Sequence, residues 1–281
     1  MTENADFSHL ANDVKRYDYD RWLCTLFAPP EVRNNLITVL AFNIDLARIR
    51  ETVSESLIGD IRLQWWRDAL QDLSKGISKP HPVVQSLQRL NDDIPLNLEL
   101  MLEMVDMRAK DLDPAPMATD GELIVYADLT GGALHQLMYQ VMGAAENSTA
   151  LEAVIRSGRS YALAGILRAM PFHAQNGLVL IPEKHMDHYG VTAETIFKPE
   201  NEVAFHAIVG RLHRLATAEL SDARAQAGQI DKRRRAAIFC NALTGIYLQR
   251  LKASRYDPVS EALTVGPVRK IIALFGYRLF V

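Results

Sequence analysis

The sequence predicts an all-α fold in a single domain of residues 1–281. Apolar residues recur with the 3.6-residue period of an α-helix in almost every long segment. No run alternates polar and apolar residues between the short turns that join paired strands. No Gly/Ser-rich linker or fixed-period repeat divides the chain, so we expect one domain.

The N-terminal half is predicted to form a series of helices. The first runs from about Asp13 to Phe27 and stops before Pro29, because proline disfavours helical geometry in the residue that precedes it. Residues 1–12 contain no apolar core and are predicted to be flexible. The remaining helices of this half are predicted over residues 31–49, 60–73, 83–90 and 96–107.

A pair of glycines interrupts the next predicted helix. Thr119 resembles an N-cap, because its side-chain oxygen can accept a free backbone N–H and acidic residues follow it. Gly131 and Gly132 lie inside the helical pattern, where each costs about 1 kcal/mol relative to alanine. Either another helix packs closely there or the helix bends around a ligand. The later helices are predicted over residues 150–170, 202–227, 232–252 and 267–281.

Composition and charge disfavour several classes of function. The 281 residues carry 31 Lys and Arg against 34 Asp and Glu, so the chain has no overall basic field for a nucleic-acid backbone. No apolar run reaches the roughly 18 residues of a membrane span, and the N-terminus does not resemble a secretory signal. Cys24 and Cys240 lie in apolar helical segments and are predicted to be buried thiols. We expect a cytoplasmic protein without a nucleic-acid partner.

The stretch AFNIDLARIRETVSE combines a polar and an apolar helix face. Asp45, Arg48, Glu51 and Glu55 are spaced three or four residues apart on the polar side. Spacing alone favours local ion pairs between Arg48 and these acids on a solvated face. The alternative is a charged wall inside a helical bundle.

The stretch ILRAMPFHAQNG is predicted to be a helix broken at Pro171, with Arg168 and His173 among apolar neighbours. The candidate metal ligands in and after this stretch are His173, His185, Asp187 and His188. However, the chain contains neither an HExxH motif nor a CxxC pair. His185 and His188 are predicted to lie at the surface of a connector, so we expect no metal site.

The tail PVRKIIALFGYRLFV, residues 267–281, mixes Arg269, Lys270 and Arg278 with a dense apolar set. One interpretation is an amphipathic terminal helix that docks on the core. The other is an interfacial helix, basic on one side and apolar on the other, that makes a peripheral membrane contact.

Four stretches of the sequence, taken in order, resemble the squalene/phytoene synthase family. They are DRWLCTLFAPPEVRNNLITVLAFNIDLARIRE, RLQWWRDAL, YADLTGGALHQLMYQVMG and SGRSYALAGILRAMPFHAQNG. The resemblance implies a single-domain, isoprenoid-synthase-type helical bundle around a central cavity. In working members it implies two Asp-rich motifs that face each other across the cavity and hold Mg²⁺ on the diphosphates of two prenyl substrates. The metal neutralises the charge that develops when a diphosphate leaves.

This sequence departs from the family pattern at both motifs. The positions of the second motif carry Ala169 and His173, and those of the first carry Ala47, Arg48 and Glu51. In the family a Ser-Phe pair contacts a diphosphate, and its two positions are occupied here by Asp20 and Arg21. The carboxylate of Asp20 would then be an anion beside the phosphates. Glu51 and Asp45 together supply too few carboxylates, because the Mg²⁺ ions of the family are held by about four to six.

The resemblance therefore implies a branch of the family with degenerate motifs, similar to respiratory complex I assembly factors. We expect a non-catalytic binding or assembly protein with no cofactor, a prenyl or lipid ligand, and a protein partner in respiratory-complex assembly at the inner face of a membrane. The alternative is a prenyl-diphosphate transferase, for which alone Mg²⁺ is expected, with Arg48 and Arg168 gripping a diphosphate and His173 moving a proton. The candidate cavity or ligand-binding residues are Phe42, Asp45, Arg48, Glu51, Tyr126, Arg168 and His173.

Overall fold

The computed structural model describes the backbone of residues 2–143 and 148–280 and the side chains of residues 8–143 and 148–279. These residues form α-helices and short 3₁₀ or π turns without a β-strand, which confirms the all-α prediction. The α-helices are α1 (Thr2–Tyr17), α2 (Tyr19–Thr25), α3 (Arg33–Ala47), α4 (Ile49–Thr52), α5 (Ser56–Ser74), α6 (Pro82–Asp93), α7 (Leu98–Met107), α8 (Asp120–Ala127), α9 (Ala133–Gln140), α10 (Ser148–Gln175), α11 (Glu183–Tyr189), α12 (Glu202–Gln226), α13 (Cys240–Ala253) and α14 (Pro267–Phe280).

Helix α10 lies at the centre of the bundle, where it packs along α12 and also contacts α8, α9 and α13. Helix α3 forms a second centre and packs against α1, α6 and α9. The apolar faces meet in two buried clusters. The larger joins α1 to α7 with α9 and α13, and the smaller joins α8, α11 and α12 with the second half of α10. Burial of these faces removes apolar surface from water and holds the helices in place.

The two glycines after α8 mark both a π turn and a close helix contact. Thr119 caps α8 as predicted, because its side chain accepts the backbone N–H of Glu122. A π turn then spans Asp128–Gly132, and Gly131 packs directly on Gly158 of α10. A Cβ atom at either position would overlap the backbone of the other. Close packing therefore accounts for the glycine pair.

Helix α10 continues through Pro171 to Gln175, so the predicted break at Pro171 is wrong. Proline fixes φ near the helical value and removes one backbone N–H. The hydrogen bond lost is the one to the carbonyl of Leu167, and only four residues of the helix follow Pro171. The helix ends at Gln175, and the positive φ of 70° at Gly177 beyond it lets Leu178 donate its N–H to the carbonyl of His173.

Several boundaries differ from the sequence prediction, and the helix expected from Asp13 to Phe27 is divided at Asp18 between α1 and α2. Helix α1 begins at Thr2, inside the segment expected to be flexible, whose mobility stays a prediction. Residues 232–252 were predicted as one helix, but Lys232–Ile238 is a 3₁₀ segment that precedes α13. Arg234 and Arg235 hold this segment by donating to the carbonyls of Met142 and Ile230, so tertiary contacts override the helical pattern.

Cys24 and Cys240 are buried and free, as predicted, with their Sγ atoms 3.5 Å apart. Among the described residues, no helix is both long and apolar enough to cross a bilayer.

Candidate functional site

A central cavity of about 520 Å³ lies between α1, α3, α8 and α10. This volume is within the range of small-molecule binding sites. The described residues that line the cavity include five arginines and three acids, so the lining carries excess positive charge that favours an anion. These residues are Arg16, Arg21, Arg48, Arg50, Arg108, Asp18, Glu51 and Asp111.

Two of the three acids are engaged by neighbouring arginines. Asp18 lies 2.9 Å from the guanidinium of Arg21, and Asp111 lies 3.2 Å from that of Arg108. The hydroxyl of Tyr126 also donates to Asp111, at 2.5 Å. Burial, together with the charge of Asp111, raises the pKa of Tyr126 well above its usual value, so this phenol stays protonated. These contacts reduce the capacity of both acids to bind a cation.

Arg48 lines the cavity without a carboxylate partner. Its guanidinium lies 3.7 Å from the ring centroid of Tyr17, and it joins no salt bridge among the described residues. The prediction that Arg48 forms an ion pair with Asp45, Glu51 or Glu55 is therefore wrong. The side chain stacks on the ring of Tyr17 from α1 instead of pairing with an acid of its own segment. The buried Nε of Arg48 also has no hydrogen-bond partner there. An unpaired buried donor costs about 1–3 kcal/mol.

The opposite wall of the cavity comes from the end of α10. His173 and Phe172 line it, and burial lowers the pKa of His173 below its usual value while Asp111 opposes this shift. The imidazole is therefore neutral near neutral pH. Arg50 joins the two walls at the exposed rim by donating to the backbone carbonyl of Asn176 at 2.7 Å.

Asp20 does not line the cavity but joins four helices behind it. Lys270 of α14 donates to its carboxylate at 2.6 Å, and the hydroxyls of Tyr247 and Tyr161 donate at 2.5 and 3.1 Å. Arg168 lies 4.0 Å away and stacks on the ring of Tyr247 at 3.6 Å. The carboxylate of Asp20, which was expected beside the phosphates, is thus neutralised by groups of the protein, whereas Arg21 lines the cavity.

A second pocket of about 310 Å³ lies on the other side of Arg48. Trp65, Trp66 and His81 form its aromatic wall, with ring centroids 5.1–5.5 Å apart. Asp45 lies 3.7 Å from His81. Burial raises the pKa of Asp45 to about 6 and lowers the pKa of His81, so both groups tend toward their neutral forms.

The structure brings some of the predicted site residues together and not others. Those lining the central cavity are Arg48, Glu51, Tyr126 and His173. Asp45 lies in the second pocket, which Arg48 also borders. Phe42 lines neither, because its side chain is fully buried against Trp66, and Arg168 packs behind the cavity.

Sequence reasoning missed several residues of the cavity. Arg108 and Asp111 follow α7 in a 3₁₀ turn, and Asp18 lies between α1 and α2. All three occupy helix ends, where charged residues are normally solvent-exposed. The only available signal was that MRAKDLD, beginning at Met107, puts opposite charges three residues apart.

Two histidines of the connector have different environments. His185 is buried, contrary to the surface prediction, and its Nε2 lies 2.5 Å from Asp120, which also pairs with Lys184 at 2.8 Å. The backbone N–H groups of Glu183 and Lys184 donate to the carbonyls of Met117 and Ala118, which holds α11 against the chain that precedes α8. His188 is exposed, as predicted. His185 has a structural environment.

The carboxylates of the cavity do not fit Mg²⁺. Among the described residues, no group of three His, Cys, Asp or Glu side chains is placed to hold a metal ion. Mg²⁺ requires near-octahedral oxygen ligands, whereas Asp18 and Asp111 are each paired with an arginine, and Arg48 adds further positive charge beside Glu51.

The sequence profile of the squalene/phytoene synthase family matches residues 14–270, which is most of the chain. The chain belongs to this family. Its helical bundle is therefore that of a family member.

Among its family relatives, the chain is similar to complex I assembly factor 6. It is 26% identical to the Rattus norvegicus protein, "NADH dehydrogenase (ubiquinone) complex I, assembly factor 6", over 87% of this chain and 73% of the relative. It is 29% identical to the Homo sapiens protein over 66% of this chain but only 55% of the relative. Similarity to the chloroplastic phytoene synthase of Daucus carota is lower, at 23% identity over 96% of this chain and 69% of that protein.

Solved structures of family enzymes share the fold. A dehydrosqualene synthase, crystallised with a ligand, superposes with a TM-score of 0.84 at 18% identity, covering 99% of this chain and 97% of that one. The squalene synthase HpnC from Alicyclobacillus acidocaldarius superposes with a TM-score of 0.78 at 14% identity, over 92% and 97% of the two chains. At these identities the likeness shows the isoprenoid-synthase fold alone.

Proposed function

We propose that this chain is a non-catalytic binding and assembly protein that acts in assembly of a respiratory NADH dehydrogenase complex. In this proposal the family cavity remains and binds an anionic amphiphile, a prenyl or lipid molecule, without a metal ion. The similarity to complex I assembly factor 6 supports the assembly role. The lining of the cavity supports the loss of catalysis.

The single observation that carries the proposal is the position of Arg48. The family resemblance implies a metal-binding aspartate at this position, whereas the guanidinium of Arg48 lines the cavity and joins no salt bridge among the described residues. A guanidinium binds phosphate oxygens directly through a planar fork of donors. The cavity therefore keeps attraction for an anion but lacks the carboxylates that would bring Mg²⁺ to a leaving diphosphate.

Calorimetric titration with an unreactive thio-analogue of geranylgeranyl diphosphate tests the cavity. We expect binding of similar strength with Mg²⁺ and with EDTA, and about tenfold weaker binding in Arg48→Ala because one charge-assisted contact is lost. Arg211→Ala, at an exposed arginine of α12 outside the cavity, is the matched control and should bind like the unmodified protein. Binding that requires Mg²⁺ would favour the transferase alternative.

The transferase alternative predicts turnover of farnesyl or geranylgeranyl diphosphate that is lost in Arg168→Ala and His173→Ala. The position of Arg168 counts against it, because this side chain stacks on Tyr247 and faces Asp20 behind the cavity. Absence of product with any divalent metal would exclude this activity.

Deletion of the gene tests the assembly role in the organism that encodes the protein. We expect less assembled NADH dehydrogenase on native gels, and recovery when the unmodified gene is returned. Returning the Arg48→Ala gene to the deletion strain separates the two parts of the proposal. This variant should restore assembly only if assembly does not require the cavity ligand. Normal assembly in the deletion strain would contradict the assembly role.

A further inference from the structure

Helix α14 presents an unusual outer face. Val268, Ile272, Phe275 and Leu279 are 68%, 65%, 54% and 80% exposed. Because successive residues of an α-helix are about 100° apart, these four side chains fall within a stripe about 60° wide. An isolated exposed apolar side chain needs no explanation, but four in one stripe form a continuous apolar surface.

The opposite face of α14 is anchored to the protein. Leu274 is fully buried, Tyr277 accepts a hydrogen bond from Asn241 at 3.2 Å, and Lys270 donates to Asp20 at 2.6 Å. These three side chains are centred about 180° from the exposed stripe. The helix is therefore docked on the core as one sequence interpretation predicted, yet its docking does not cover the apolar residues of the outer face.

Two arginines flank the stripe. Arg269 and Arg278 are exposed and lie about 90° to either side of its centre. No Asp or Glu occurs between Pro267 and Phe280. The apolar surface continues onto the end of α2, because Phe275 meets the ring of Phe27 at 5.0 Å. An apolar stripe with an arginine on each side matches the boundary between acyl chains and anionic headgroups of a bilayer.

We propose that α14 is an interfacial helix that seats the protein on an anionic lipid surface, with the stripe in the acyl boundary and Arg269 and Arg278 at the headgroups. A second copy of the chain fits this face less well. In a two-fold contact the same patch meets itself, so Arg269 and Arg278 would face arginines with no acid of α14 between them. This role goes beyond the proposed assembly function and does not depend on the cavity.

Sedimentation with vesicles tests the proposal. We expect the protein to bind vesicles of phosphatidylcholine with phosphatidylglycerol more tightly than vesicles of phosphatidylcholine alone. Ile272→Asp with Leu279→Asp should weaken binding by about tenfold or more, because charged residues are expelled from the acyl boundary. Leu57→Asp with Ile61→Asp is the matched control on α5, where both residues are likewise exposed, and should leave binding unchanged.

A second measurement reports insertion without altering the charge. Leu279→Cys and Leu57→Cys place reactive thiols at the surface, whereas Cys24 and Cys240 are buried. An environment-sensitive dye on Leu279→Cys should shift its emission to the blue on the anionic vesicles, and the same dye on Leu57→Cys should not. Absence of vesicle binding, or equal loss in the control, would overturn the proposal. So would light scattering that shows a dimer dissociated by the α14 substitutions.

Discussion

A single guanidinium changes the chemistry that the central cavity can perform. Arg48 stacks on Tyr17 and joins no salt bridge among the described residues, so its positive charge at the cavity is not neutralised by a paired carboxylate. A carboxylate at this position would attract a divalent cation and, through it, a phosphate. A guanidinium attracts the phosphate without the cation.

Asp45 provides a residue-scale prediction about pH. Burial raises its pKa to about 6 from 3.8, with Asp13 adding to this shift and Arg48 opposing it. The folded protein therefore holds this proton more tightly than the unfolded chain does. Ionisation of Asp45 lowers the free energy of unfolding as pH rises from about 3.8 to about 6, and the full penalty remains above that range.

We expect Asp45→Asn to raise the free energy of unfolding near neutral pH by roughly 1–2 kcal/mol, a value discounted for partial exposure. The gain should shrink as pH falls toward 4, because the unmodified aspartate is then protonated. Urea unfolding across this pH range measures it. Asp68→Asn, at an exposed position of α5, should show no comparable gain, and equal pH dependence in both variants would contradict the assignment.

At the scale of helix packing, Gly131 and Gly158 make a close backbone contact. Gly158→Ala should lower the free energy of unfolding by about 2–3 kcal/mol, because the added methyl overlaps the backbone of Gly131. Gly165→Ala lies on the same helix with open space at its Cβ, and should be neutral or stabilising by up to about 1 kcal/mol. Chemical denaturation of the two variants distinguishes an effect of packing from an effect of helix propensity. A similar change in the free energy of unfolding in both variants would contradict close packing at Gly158.

The attachment of α14 gives a second element-scale prediction. Lys270→Met removes the closest cation from buried Asp20, and we expect the free energy of unfolding to fall by about 2–4 kcal/mol, with Arg168 limiting the loss. Hydrogen exchange should rise in α14 more than in α10. Lys252→Met changes an exposed lysine of α13 and should alter neither quantity. Unchanged exchange in α14 would show that apolar packing alone holds the helix.

At the scale of the whole molecule, ligand binding to the cavity should stabilise the fold by mass action. We expect geranylgeranyl diphosphate to raise the melting temperature equally with EDTA and with Mg²⁺, because arginines rather than a metal meet the headgroup. Geranylgeraniol, which lacks the diphosphate, should raise it less. Stabilisation confined to samples with Mg²⁺ would contradict the assignment of the cavity as a metal-independent site.

The sequence alone determined the parts of this protein that depend on local physics. The 3.6-residue period predicted the long helices, and Thr119 was recognisable as a cap. A helical pattern or a cap depends on residues a few positions apart. These features therefore need no knowledge of the rest of the chain.

Only the tertiary structure decided which charges meet. Spacing suggested partners for Arg48 on its own helix, but a ring from α1 covers it, and Asp20 finds Lys270 some 250 residues away. His185 is buried against Asp120, which lies 65 residues earlier in the chain. Burial and ion pairing depend on surfaces that meet only after the helices pack, and the same packing leaves the outer stripe of α14 uncovered.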